Sequence, residues 1–178
     1  MARAYVSIGS NIEPAVNVLA ALQLLADAFG PLRCSSVFRT PAVGFEGEDF
    51  LNMVVGLDTD DPPQRLAARL REFEDLRGRK RGGARFSART LDLDVLTWDD
   101  AILADGKLVL PRPEIIEQAF VLGPLAELAG DERHPVLQRT YAELWAQMRS
   151  SAHALESVPL PGLESIPQQP ARGKELSP

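Results

Sequence analysis

The sequence has little cysteine, no long apolar run and an excess of negative charge. Its 178 residues include one cysteine, Cys34, so an internal disulfide is excluded, and we expect this thiol to pack as a small hydrophobe. No run of 18 apolar residues and no apolar signal segment occurs, so a cytoplasmic protein without a membrane segment is expected. The net charge of −6 argues against a surface built for nucleic acid.

Two common phosphate-binding motifs are also missing. Neither G-x-x-x-x-G-K-[ST] nor G-x-G-x-x-G is present, which excludes a P-loop and a dinucleotide-binding turn as the phosphate site. His134 and His153 lie too far apart in the sequence to indicate a zinc site. No serine has an evident histidine partner, so triad chemistry is not indicated.

Hydrophobic periodicity predicts the element order β-α-β-β-α-β. Pro14 suits a first helical turn, and Gly30-Pro31 stops that helix. Apolar residues recur every three or four positions in the two helices and cluster in the strands. The predicted strands are 2–8, 32–39, 50–57 and 90–97, and the predicted helices are 14–29 and 62–77.

This order predicts an α+β fold of the ferredoxin-like type, an antiparallel sheet with helices packed on one face. C-terminal additions follow, with a strand near 107–110 and helices near 120–128 and 141–148. We expect one domain over residues 1–149. Because five prolines follow Ser150, residues 150–178 are predicted to form a flexible tail without a catalytic part.

The L-D-L-D-V-L segment places Asp92 and Asp94 on one face of a strand, roughly 6.6 Å apart. Two ionised carboxylates that share a face repel each other and favour a cation between them. Magnesium prefers such oxygen ligands and completes its shell with water and phosphate oxygens. A solvated edge strand is the alternative interpretation of an isolated D-x-D.

A basic run precedes the acid pair. Residues 77–89 contain six arginines or lysines, among them Arg79 and Arg89, and Gly82-Gly83 gives the run freedom to close. Arginines beside a metal site are typical of phosphoryl transfer, in which the protein mainly positions groups and neutralises charge. A solvated loop or a nucleic-acid patch are the alternatives, and neither accounts for the adjacent acids.

Six segments occur in this order along the chain: I-G-S-N (8–11), F-R-T-P-A-V-G (38–44), F-L-N (50–52), A-R-T-L-D-L-D-V (88–95), V-L-P-R-P (109–113) and F-V-L-G-P-L-A-E-L (120–128). Together they resemble the 6-hydroxymethyl-7,8-dihydropterin pyrophosphokinases of folate biosynthesis. The resemblance implies a ferredoxin-like fold and transfer of pyrophosphate from ATP to the pterin's hydroxymethyl oxygen, with release of AMP and use of two magnesium ions. It implies ATP and a dihydropterin as small-molecule substrates, without nucleic acid, membrane or an obligate protein partner.

The resemblance also implies roles for individual residues. The catalytic set is Arg79, Arg89, Asp92 and Asp94, in which the two aspartates bind the metal. The expected ATP contacts are Glu74, Arg79, Arg89, Val95, Lys107 and Arg112. The expected pterin contacts are Thr40, Pro41, Val43, Phe50, Asn52, Phe86 and Phe120.

Taken alone, Phe50 and Phe120 favour an ordinary core over a ligand-binding role. Asn52 differs, because asparagine is poor in strand propensity and a mid-strand asparagine already favours function. A flat polar ring needs aromatic stacking together with a few fixed polar groups, and these three residue types supply both.

Several positions depart from the family pattern. Phe86-Ser87-Ala88 stands where W-G-P is common, Arg112 replaces a histidine, and Gln118 replaces an arginine. One hypothesis is that Arg112 supplies the charge that Gln118 lacks. The departures keep open one alternative, a divergent paralogue that uses another pterin or has lost rate. The basic run leaves a second alternative from another class, a ferredoxin-like RNA-binding module.

Overall fold

A computed structural model of the chain describes residues 1–42, 47–78, 90–150 and 155–170. The sequence prediction of a mixed α/β architecture with an antiparallel sheet is confirmed. The strands are β1 (Ala2–Ser10), β2 (Arg33–Cys34), β3 (Val37–Thr40), β4 (Phe50–Thr59), β5 (Asp92–Trp98), β6 (Leu103–Asp105), β7 (Leu108–Leu110) and β8 (Glu156–Val158).

The first two helices each begin with a proline, whose missing N–H needs no partner in the first turn. Gly30 ends the first helix with a φ of 82°, a conformation that glycine adopts at little cost. No helix within the described ranges is long and apolar enough to cross a membrane. The helices are α1 (Pro14–Phe29), α2 (Pro63–Leu76), α3 (Glu114–Glu117), α4 (Ala119–Ala129) and α5 (Tyr141–Arg149), and a short 3-10 helix spans Leu163–Ser165.

The main sheet has the order β5-β1-β4-β3-β8, and β2 also pairs with β4. Neighbouring strands are antiparallel, and β6 and β7 form a separate hairpin. The strand predicted over 32–39 is two short strands. The register against β4 shifts by one residue between Cys34 (opposite Val55) and Phe38 (opposite Asn52), so a bulge separates β2 from β3.

Both faces of the sheet are covered. On β1, Ala4, Val6 and Ile8 pack into a core with α1 and α2, whereas Tyr5 packs into a second core with α3, α4 and α5. Successive strand residues point to opposite faces, so β1 contributes to both cores. The sequence predicts helices on one face, and α3 to α5 add a layer on the other.

Residues 155–170 form part of the fold. β8 pairs with β3, and Leu160 and Ile166 are only 5% and 4% exposed in the core formed with α1 and α2. The prediction of a flexible tail from residue 150 is therefore wrong for 155–170. The prolines there follow β8 and take no part in its ladder of hydrogen bonds, and two apolar side chains between them anchor the segment.

Leu160→Ala should lower the free energy of unfolding by about 2–4 kcal/mol, because it leaves a cavity in the core. Chemical denaturation measures the change. Leu163→Ala is the matched control, since Leu163 is only partly buried against the same core, and we expect a loss of about 1 kcal/mol or less. Equal losses for the two variants would mean that Leu160 does not anchor the segment.

Candidate active site

Asp92 and Asp94 lie on β5, the strand that ends the sheet order. Asp92 stands opposite Gly9 and Asp94 opposite Ser7 on β1. Alternate residues of a strand face the same side, and both aspartates line the same two pockets. The acid pair is therefore assembled on one face, at an edge of the sheet.

A pocket of about 410 Å³, the inner pocket, lies between this part of the sheet and the start of α4. It is lined by Ser7, Ile8, Gly9, Asn52, Met53, Asp92, Asp94, Leu96, Arg112, Glu114, Gln118, Phe120 and Val121. Fixed amide and charged groups face an aromatic side chain, a lining that suits a flat molecule with a polar edge.

A second pocket of about 270 Å³, the outer pocket, lies on the other side of the acid pair, between α2 and β7. It is lined by Ala67, Leu70, Arg71, Glu74, Asp92, Leu93, Asp94, Val95, Lys107, Leu108 and Arg112. Arg71, Lys107 and Arg112 bring positive charge to this pocket, which suits an anionic ligand. Asp92, Asp94 and Arg112 line both pockets and form their junction.

Glu74 is a buried carboxylate, 3% exposed, on the side of α2 that faces β5. It accepts a hydrogen bond of 3.0 Å from the backbone N–H of Leu93. An edge strand presents N–H groups that no neighbouring strand pairs, and Glu74 satisfies one of them between Asp92 and Asp94. Glu74 thus fixes the backbone that carries the acid pair, in addition to lining the outer pocket.

The carboxyl of Asp94 is held in an environment that disfavours its charge. Burial raises the pKa to about 7 from an ordinary value of 3.8, and the negative charge of Asp92 adds to the shift. The Arg112 guanidinium, with Nη2 3.4 Å from Oδ1 of Asp94, lowers the pKa of this carboxyl. Its effect is smaller than the combined effect of burial and Asp92. A cation bound between the two carboxylates would relieve this repulsion.

Asp94→Asn should raise the free energy of unfolding of the metal-free protein at pH 8 by about 1–2 kcal/mol. The raised pKa means that the folded wild type binds more protons than the unfolded chain between about pH 4 and 7. Its stability therefore falls as pH rises through that range, and the variant lacks this decline.

Urea denaturation in EDTA from pH 4 to 8 measures the difference. Asp100→Asn, at an exposed position, is the control and should follow the wild-type pH profile. A variant at position 94 that is less stable than wild type at pH 8 would show that the ion pair with Arg112 outweighs the repulsion.

Asn52 is the third residue of β4 and is 8% exposed. Its Nδ2 donates a hydrogen bond of 2.6 Å to Oγ1 of Thr40 on β3. Its Oδ1 lies 3.0 Å from the position that a Cβ on Gly9 would occupy, so any larger residue at position 9 would crowd the amide. Thr40 and Gly9 together fix the orientation of an amide that faces the inner pocket.

Within the described residues, no group of three or more His, Cys, Asp or Glu side chains could hold a metal ion. Magnesium does not require such a group, because it is commonly bound by one or two protein carboxylates together with water and phosphate oxygens. The acid pair at the junction of the pockets therefore fits a magnesium ion that arrives with a phosphate-bearing ligand.

Comparison with known proteins decides the family. Residues 5–130 match the family model of 7,8-dihydro-6-hydroxymethylpterin-pyrophosphokinase (HPPK). The chain belongs to this family. The resemblance found in the sequence motifs is thus confirmed.

Curated relatives carry the name 2-amino-4-hydroxy-6-hydroxymethyldihydropteridine pyrophosphokinase. The Methylorubrum extorquens protein is 41% identical over 135 residues, which cover 74% of this chain and 85% of that protein. The Bacillus subtilis protein is 36% identical over 129 residues, 70% of this chain and 77% of that protein. The Pseudomonas aeruginosa protein is 34% identical over 173 residues, 93% of this chain and 97% of that protein.

Solved structures agree on the fold. Plasmodium falciparum HPPK-DHPS, wild type with SDX-DHP, superposes with a TM-score of 0.68 at 14% sequence identity. The match covers 84% of this chain but 44% of that longer chain. At this identity the likeness concerns the fold alone.

The structure brings together most of the described residues that the HPPK resemblance implies. Asp92 and Asp94 line both pockets, Glu74, Val95 and Lys107 line the outer pocket, Asn52 and Phe120 line the inner pocket, and Arg112 lines both.

Three other predicted pterin contacts, Thr40, Pro41 and Phe50, are not among the lining residues of the inner pocket. Thr40 reaches it through its hydrogen bond with Asn52. Phe50 is a partly buried residue at the start of β4, two positions before Asn52, and Pro41 is exposed just after β3. Arg79, Val43, Phe86 and Arg89 lie outside the described residues.

Sequence reasoning missed Gly9, Arg71 and Glu114 as site residues. Gly9 belongs to the I-G-S-N motif. Pairing the predicted strand that carries this motif with the strand that carries Asn52 could have placed the two residues opposite each other. Arg71 lies one helical turn before Glu74, and that spacing puts both on one face of α2. Glu114 gave no signal, because its proximity to Asp94 depends on how the chain returns to β5.

Proposed function

We propose that this chain transfers pyrophosphate from ATP to the hydroxymethyl group of 6-hydroxymethyl-7,8-dihydropterin, giving AMP and the dihydropterin diphosphate in folate biosynthesis. The observation that carries the proposal is the pair of pockets that meet at Asp92, Asp94 and Arg112. A reaction between two substrates needs both reacting groups held side by side, and this junction is where they would meet.

The outer pocket is proposed to hold ATP. Lys107 and Arg112 line it and would neutralise phosphate charge, with Arg79 and Arg89 of the basic run joining them as catalytic arginines. Val95 would contact the nucleotide, and Glu74 would act mainly by holding β5. Bound magnesium, proposed as two ions on Asp92 and Asp94, supplies charge neutralisation and lowers the pKa of the attacking hydroxyl.

The inner pocket is proposed to hold the pterin. Asn52 presents a fixed amide to the polar edge of the ring, and Phe120 lies against one face of the ring. Phe50 is proposed for the other face. The same edge of the ring would be completed by Thr40, Pro41 and Val43, and Phe86 would cover the site.

The proposed step is an in-line displacement at phosphorus. The hydroxymethyl oxygen bonds to the β-phosphorus of ATP, and the bond from that phosphorus to the oxygen bridging the α- and β-phosphates breaks. AMP leaves with the bridging oxygen, and the hydroxyl proton is lost to water. The chain's residues contribute by orienting the ring and the phosphates, which is the larger part of catalysis in phosphoryl transfer.

The fold is proposed to be ferredoxin-like, with β1, α1, the β2/β3 strands, β4, α2 and β5 as its βαββαβ core. The order β5-β1-β4-β3 with antiparallel neighbours supports this. A cytoplasmic location and small-molecule partners only are part of the same proposal. The net charge of −6 and the family membership weigh against the RNA-binding alternative.

Product analysis tests the proposal. The protein is incubated with ATP, magnesium chloride and 6-hydroxymethyl-7,8-dihydropterin, and nucleotides are separated by ion-exchange chromatography. AMP formed in equal amount to the pterin diphosphate, and absent without pterin or with EDTA, is the expected result. ADP would mean ordinary kinase chemistry and would refute the proposal.

A second candidate is a divergent paralogue that accepts another pterin. It is favoured by Gln118, a neutral residue that lines the inner pocket where the family often has arginine, and by Phe86-Ser87-Ala88 in place of W-G-P. Formation of AMP with a different 6-substituted dihydropterin, but not with the hydroxymethyl compound, would favour this candidate.

A further inference from the structure

The turn between β7 and α3 carries Arg112 at the junction of the pockets, and the oppositely charged Glu114, the first residue of α3, lies beside it. The backbone N–H of Arg112 donates to the carbonyl of Leu96 on β5 at 2.9 Å, and Ile115 N–H donates to the carbonyl of Arg112 at 3.1 Å. Ile115 is fully buried and anchors the turn. The backbones of Arg112 and Glu114 are therefore fixed relative to the acid pair.

The guanidinium of Arg112 has two acidic neighbours. Its Nε lies 3.1 Å from Oε2 of Glu114, and its Nη2 lies 3.4 Å from Oδ1 of Asp94. Oε2 of Glu114 is buried and has no aligned hydrogen bond from the described residues, so its contact with Arg112 is an ion pair. A guanidinium carries five N–H donors, and these contacts engage only one edge of it.

The two acidic neighbours differ in what else they face. Asp94 lines both pockets, whereas Glu114 lines only the inner one. If Asp94 is neutralised by a cation that arrives with ATP, its hold on Arg112 weakens, and Glu114 remains as the partner of the guanidinium.

We propose that Glu114 is a positioning residue, which holds the Arg112 guanidinium at the junction so that its remaining N–H groups bind the triphosphate. This inference rests on the proposed function. It assigns an indirect role to Glu114, whose own charge would repel phosphate.

Glu114 favours ATP binding by positioning Arg112 and opposes it by repelling phosphate. Whether Arg112 is present decides which of these two effects is larger. With Arg112 present, loss of the carboxylate leaves the guanidinium free to move and should weaken ATP binding. With Arg112 removed, Glu114 is an unpaired negative charge beside a polyphosphate, and its loss should strengthen binding. A purely structural role of the turn would weaken binding in both backgrounds.

The experiment measures the dissociation constant of α,β-methylene-ATP with magnesium by calorimetry, in wild type, E114Q, R112A and the double variant R112A/E114Q. We expect E114Q to weaken binding about 5-fold in the wild-type background and to strengthen it about 2-fold in the R112A background. E117Q is the matched control, because it removes the same charge from an exposed position on the same short helix, and it should change little.

Each other pattern overturns the inference. If E114Q strengthened binding of the analogue in both backgrounds, Glu114 would only repel phosphate. If E114Q weakened binding in both, its role would be structural. If E114Q left binding unchanged in the wild-type background, Glu114 would have no role in positioning Arg112. Failure of the wild-type protein to bind the analogue at all would instead count against the proposed function. Thermal unfolding of each variant checks that the fold is retained.

Discussion

Replacing either Asp92 or Asp94 by asparagine should lower kcat for AMP formation by about 10³-fold or more. Asparagine keeps the size of the side chain but removes the charge that is proposed to hold magnesium, and metal-ion stabilisation of a phosphoryl transition state is worth several kcal/mol. Both side chains line both pockets, so they lie where the two proposed substrates would meet.

The measurement is initial rate of AMP formation over a magnesium titration. Asp100→Asn changes the charge by the same amount at an exposed position just beyond β5 and should keep the wild-type rate. If a variant at position 92 or 94 retained near wild-type activity with a folded near-UV spectrum, the metal assignment would be wrong. Recovery of the rate at high magnesium would indicate weakened ion binding rather than a lost catalytic group.

Asn52→Leu should lower kcat/KM for the pterin by about 10³-fold, with little change in the KM for ATP. A site built to hydrogen-bond a polar edge loses most of its discrimination when that group is removed, because the polar edge of the ligand is then buried unpaired. Leucine has a similar size, so the change acts on polarity more than on packing.

Thr40→Val is the matched variant. It removes the hydroxyl that accepts from Nδ2 of Asn52 but keeps the amide itself, so we expect a smaller loss of about 10-fold from the freed rotation of Asn52. Steady-state kinetics with each substrate varied in turn separates the effects. A loss confined to the KM for ATP in Asn52→Leu would place Asn52 outside the pterin site.

Local patterns were enough for much of this molecule. The alternation in 90–97 placed Asp92 and Asp94 on one face. Prolines marked where α1 and α2 begin, and Gly30 marked where α1 ends. These are short-range effects, since strand pleat and helix capping depend on residues within a few positions.

Composition misled where tertiary packing outweighs it. Five prolines after Ser150 indicated a flexible tail, yet Leu160 and Ile166 are buried in the core. The burial of two apolar side chains does not depend on the polarity of the residues between them. The average composition of the segment therefore does not predict whether these two side chains are buried.

By itself, the sequence predicted the acid pair and the strand residue Asn52 as residues that carry the chemistry, and its motif order is typical of the pyrophosphokinases. Only the tertiary structure decided how they meet. The Glu74 contact with the Leu93 N–H, the Thr40 contact with Asn52, and the Arg112 and Glu114 pair beside Asp94 each join residues from different elements. Such contacts arise from the way the elements pack, and the side-chain types alone do not encode a distance between them.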